Sequence, residues 1–232
     1  MNDIADGFVY YGVFLLSTTL HEAGHAWAAK LGGDLTAYHG GQVSIDPRPH
    51  IKREPVGMVL LPIVSVLMIG WPFGFASAPY DPRWAMRYPK RAAWMALAGP
   101  AANLLLIVMS GLLIYLALLA NILASPHSIT FGHIVTGSSP ALDGVAFALG
   151  AFFSLNMILF IFNMFPIPPL DGSGALPLFL SNRVIPRYQQ FIWTQRGLGL
   201  IGIIIAWQIV MQVFNPIFFF VVNILHPGVS YR

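Results

Sequence analysis

The 232-residue sequence contains no cysteine and very little charge. Without cysteine there is no disulfide, no thiolate metal site and no cysteine nucleophile, and the redox state of the compartment leaves no trace. Charged residues make up 9% of the chain and hydrophobic ones 56%, against about 25% charged in an ordinary soluble domain. That shortage excludes a conventional solvated surface and fits a chain dissolved in lipid. Apart from Glu22, windows 7–29, 92–120, 144–165 and 197–225 hold no Asp, Glu, Lys or Arg. Each exceeds the roughly 18 residues of a candidate spanning helix. Window 56–78 is equally uncharged but is broken by Pro62, Gly70, Pro72 and Gly74.

The basic balance, pI about 9.3, does not point to nucleic acid. The cations sit in short loops between apolar windows, where they report membrane orientation. The opening MNDIADG is acidic and lacks the basic region of a signal peptide, so the first window is expected to remain as a helix. If window 56–78 enters and leaves by one face, eleven of the twelve Lys and Arg fall on one side and only Arg232 on the other. If it spans, the best split is seven to five. The positive-inside rule selects the re-entrant arrangement, and such a segment must be covered by protein or line a wet cavity.

The expectation is an all-α polytopic membrane protein with about four transmembrane helices. A re-entrant element and a short membrane-associated β-hairpin complete it. The chain reads as one domain over 1–232, with a core at 7–180 and a C-terminal helix at 197–225. It is multi-pass with the N-terminus outside, and prokaryotic inner membrane is the expected location. The hairpin arm is read from "GGQVSID", where Val43 and Ile45 alternate with Gln42, Ser44 and Asp46 in the period of a strand. Loop 121–143 is polar and lies outside.

The chemistry concentrates in "TTLHEAGHAWAAK". His21 and His25 stand four apart, one turn apart on one helix face, as two ligands of a zinc ion require. Glu22, about 100° further round, is placed to touch a metal-bound water. Short motifs of this kind also arise as polar clusters satisfied by neighbouring helices, but ionisable groups inside a membrane are costly and mark function by default. Zinc needs a third protein ligand, and Asp171 in "NMFPIPPLDGSG" is the candidate, just after prolines that must unwind the helix. Its other reading is a turn residue before Gly172. In the selected topology the first and third spanning helices both run inward, which brings His21 and Asp171 to the same side. Asn163 and Asn103 are candidate amides for an oxyanion or an extended peptide; equally, each could serve a helix–helix hydrogen bond.

HEAGH in the first helix, AGPAAN opening the second and NMFPIPPLDG closing the third together resemble the site-2 protease family of intramembrane zinc metalloproteases, in its compact prokaryotic form. Loop 121–142 is too short for a PDZ domain. The resemblance implies one Zn²⁺ held by His21, His25 and Asp171, with Glu22 as general base and Asn163 assisting substrate or oxyanion. It also implies a transmembrane protein substrate, added as a β-strand along the segment that begins at Gly41 and ends at Asp46. The chain departs from the compact members in carrying "GFASAPYD" where they often carry a Trp-Ala-Lys-Pro-like stretch. The alternative is a zinc-binding transporter or other non-proteolytic membrane protein, against which the polar residues cluster at one depth. The later-helix glutamate ligand of other membrane proteases is absent, since no Glu follows Glu54.

Overall fold

The computed structural model describes residues 4–194 and 198–232; Arg196, counted among the cations above, lies outside them, as do Met1, Asn2 and Asp3. The long elements are helices. α1 spans Ile4–Gly32, α2 Thr36–His39 and α3 Pro47–Arg53. A wide helical turn at Val56–Leu60 runs into α4, Leu61–Ile69, and α5 follows at Pro82–Arg87. Then come α6, Pro89–Leu119, and α7, Asp143–Asn163. The short α8 is Asp171–Ala175, α9 is Ile185–Thr194 and α10 is Leu198–Leu225.

Among the described residues, three helical stretches are long and apolar enough to cross a membrane: Pro89–Leu119, Pro140–Asn163 and Gly199–Leu225. Four were expected. α1 has 29 residues, about 43 Å at 1.5 Å each, so length is not what sets it apart. Its interior carries Ser17, Thr18, Thr19, His21, Glu22 and His25, and these polar groups dilute its apolar character. α1 packs into the bundle instead, with Tyr10, Val13 and Phe14 on Phe147, Ala151 and Leu155 of α7.

Side-chain pairs give the relative directions. His25 meets Met95 and His21 meets Asn103, so α1 and α6 are antiparallel. Tyr10 meets Phe147 and Ser17 meets Asn156, so α1 and α7 are parallel. α10 closes the bundle, packing Val210, Phe214, Phe218 and Val222 against α6, α7 and the outer loop. These are the alternating directions expected from the cation count.

The segment between α3 and α5 doubles back. Gly70, with φ of 72°, ends α4 in the left-handed region, where a side chain would be strained. Residues 71–81 then return without regular structure. By Phe75 the chain is level with the start of the excursion, because the Phe75 N–H donates to the Gly57 carbonyl at 3.1 Å.

One local expectation is corrected. No strand forms between Gly41 and Asp46; that stretch is a sequence of turns, and Gln42, not Val43, is the buried residue. The five-residue alternation loses to capping. Gly41 sits at φ 75°, Ser44 Oγ accepts from the Asp46 N–H at 3.0 Å, and Asp46 accepts from the Arg48 N–H at the start of α3. Asp followed by Pro is a helix-start signal, repeated at Asp81–Pro82 before α5. Among the described residues the strands lie elsewhere, in the outer loop: β1 (Leu123–Ala124) pairs antiparallel with β2 (Thr136–Gly137).

Candidate metal centre

α1 and α6 cross where α6 presents Met95, Gly99 and Asn103, one turn apart on one face. The His25 Nδ1–H donates to the Met95 carbonyl at 2.7 Å. A carbonyl only accepts, so the proton is on Nδ1 and the Nε2 lone pair points the other way. The His21 Nδ1 meets Asn103 Oδ1 at 2.6 Å, which turns its Nε2 inward as well. Pro166, Pro168 and Pro169 end the helical run after α7, and the chain turns so that Asp171, at the head of α8, enters the same space.

The result is three acceptor atoms converging on one another. His21 Nε2 and His25 Nε2 are 3.0 Å apart, and Asp171 Oδ2 is 3.0 Å from the first and 3.3 Å from the second. Neutral imidazole lone pairs and a carboxylate brought this close repel unless a proton or a metal cation lies between them. Donors placed at about 2.0–2.1 Å from one zinc ion, at tetrahedral angles, stand roughly 3.3–3.4 Å apart, so the trio fits such an ion with slight expansion. Room is provided by Gly99. A Cβ there would lie 2.3 Å from His25 Nε2 and 2.6 Å from His21 Nε2. Glu22, 5% exposed, stands outside the trio, and its Oε2 has no hydrogen-bond partner.

Residues 9–204 match peptidase family M50, the site-2 proteases. The chain belongs to that family. YwhC of Bacillus subtilis, named as a zinc metalloprotease, is 30% identical over 177 residues, covering 72% of this chain and 71% of its own. Rip2 of Mycobacterium tuberculosis, also so named, is 30% identical over 235 residues, covering 96% of this chain and 78% of its own. No solved structure matches.

In this M50 member the trio and Glu22 open on a cavity of about 660 Å³. Its walls are mostly apolar, with Phe14 and Thr18 of α1, Leu155, Ile158 and Phe162 of α7, and Ile203 and Trp207 of α10. The returning segment supplies Trp71 to Ala78 and Tyr80, and α9 supplies Tyr188, Gln189 and Trp193 at the basic end. Two bonds hold α9 there, from the Tyr188 hydroxyl to the Ser173 carbonyl at 2.7 Å and from the Gln189 amide to the Ala85 carbonyl at 3.1 Å.

The two candidate asparagines separate. Asn163 lines the cavity, and one of its amide hydrogens is committed to the Leu159 carbonyl of its own helix at 3.1 Å. Asn103 is fully buried and lies outside the cavity lining, with its oxygen on His21 and its nitrogen donating to Asn156 Oδ1 at 2.9 Å, the helix–helix hydrogen bond that was its other reading. Gly99 and Asn156 escaped the sequence reading. The i, i+4 spacing of Met95, Gly99 and Asn103 was a signal for Gly99; Asn156, an isolated amide in an apolar run, carried little beyond the cost of burying it.

Proposed function

We propose that the chain is an intramembrane zinc metalloprotease, holding one Zn²⁺ on His21, His25 and Asp171 and hydrolysing peptide bonds of membrane-spanning protein substrates. The observation that carries this reading is the convergence of three acceptor atoms within 3.3 Å beside a buried Glu22 whose Oε2 has no hydrogen-bond partner. The names of the relatives as zinc metalloproteases support it.

A zinc ion held by His21, His25 and Asp171 would supply Lewis-acid polarisation of a carbonyl and would lower the pKa of water beside it to about 7. The chain's own groups do the rest. Glu22 takes the proton of the water attacking the scissile carbonyl and passes it to the leaving amine. Asn163 has a second amide hydrogen to direct at the developing oxyanion or at the peptide backbone. The apolar walls accept the side chains of a membrane segment and limit water. A helical substrate hides its carbonyls, so it must unwind locally and find new partners for its backbone. Residues 41–46, expected to receive it as a strand, form turns. The returning segment, which lines the cavity from Trp71 to Ala78, is the better-placed partner for it.

The cations Lys30, Arg53, Arg87, Lys90 and Arg91 mark the end of the bundle near the site, and by the positive-inside rule that end is cytoplasmic and the N-terminus outside. Cleavage then occurs near the cytoplasmic face of a prokaryotic cell membrane. Proteolysis of a single-pass membrane substrate in detergent tests the reading. Glu22→Gln should lower the rate by about 10²–10⁴-fold with zinc still near one per chain, and cleavage at the wild-type rate would remove the general-base assignment.

A further inference from the structure

We propose that Asn156 is a positioning residue of the metal site, acting through Asn103 to fix which nitrogen of His21 faces the metal. The inference rests on the zinc reading above. Asn156 lies on α7, is fully buried and touches no ligand. Its amide nitrogen donates to the Phe152 carbonyl at 2.8 Å and to Ser17 Oγ of α1 at 2.9 Å. Main-chain carbonyls only accept, so the Phe152 carbonyl forbids the flipped amide. The Asn156 oxygen must therefore face Asn103, and it accepts from Asn103 Nδ2 at 2.9 Å.

Asn103 inherits the constraint. With its nitrogen toward Asn156, its oxygen faces His21 and accepts from Nδ1–H at 2.6 Å. The polarity of one carbonyl on α7 thus passes through two amides to a ligand on α1, leaving Nε2 bare toward the metal. His25 reaches the same state in one step, on the Met95 carbonyl. A partner that orients a metal-binding histidine is typically worth tenfold to hundredfold in metal affinity.

The test is zinc affinity of the detergent-solubilised full chain, by competition with a chromophoric chelator. Asn103→Ala should weaken zinc tenfold to hundredfold, and Asn156→Ala about tenfold. In the Asn103→Ala background, Asn156→Ala should add less than about twofold, because its effect runs through Asn103. Asn156→Leu, which keeps the volume without the polar ends, stands in if the alanine variant does not accumulate folded. Unchanged affinity in the Asn156 variants, or effects that multiply in the double variant, would overturn the relay. Failure of the zinc reading looks different: the wild type would bind no zinc, or His21→Ala would bind it as tightly.

Discussion

The His25 imidazole hydrogen-bonds a main-chain oxygen, the Met95 carbonyl of α6, at 2.7 Å. Because the partner is backbone, no side chain at position 95 is needed to orient this ligand. Met95→Leu, a swap of similar volume at a buried site, should cost under about 1.5 kcal/mol in stability and leave zinc near one per chain. Metal analysis of the purified variant checks this. Loss of zinc would show that the Met95 side chain matters to the site.

Gly99 makes the opposite case. Its missing Cβ leaves the space between the two histidine nitrogens, so Gly99→Ala should evict the metal while the helices persist. Zinc per chain should fall to near zero with helical circular dichroism unchanged. Gly144→Ala, where a Cβ meets nothing within 4 Å, should retain the metal. A fully loaded Gly99→Ala protein would contradict the placement of the ion between His21 and His25.

The returning segment is held from outside the site. The amide of Gln42, 2% exposed, donates to the Ser77 carbonyl at 3.1 Å, and the Ser77 hydroxyl donates to Glu54. Gln42→Ala leaves that carbonyl without its donor, a loss of about 1–3 kcal/mol felt by the cavity wall and not by the ligands. Cleavage should fall severalfold, mainly as a raised KM, with zinc unchanged. Equal loss of zinc and cleavage would instead place Gln42 in the support of the metal site.

At the other end of the bundle, His226 is buried, and its Nδ1 meets Ser125 Oγ at 2.8 Å while Tyr231 bonds the Pro126 carbonyl. Burial pushes its pKa below the ordinary histidine value. A depressed folded-state pKa means the neutral form is preferred in the fold, so this stabilisation is complete above about pH 6.5 and declines as pH falls below it. Tm should drop between pH 7.5 and 5.5 in the zinc-loaded wild type, and by less in His226→Gln. Parallel pH profiles for the two proteins would remove His226 from the pH dependence.

Long uncharged windows announced the helices, because lipid requires that composition whatever the packing. The cation count anticipated the alternating directions and the doubling back at Gly70 for the same reason. What escaped was governed by local competition or by partners distant in sequence. Asp46 before Pro47 capped a helix where a five-residue alternation suggested a strand. Asn103 looked like a substrate amide because its two partners, His21 and Asn156, lie 82 and 53 residues away. The same HEAGH segment that marked the chemistry made α1 too polar to be counted with the other crossing helices.

Zinc K-edge X-ray absorption of the purified chain tests the central claim most directly. The spectrum should show about one zinc per chain in four-coordinate geometry, with nitrogen and oxygen neighbours at about 2.0–2.2 Å and outer-shell scattering from two imidazoles. Loss of one imidazole signature in His25→Ala, and of the metal in Asp171→Ala, should follow. A protein that binds no zinc, or zinc surrounded by oxygen alone, would contradict it.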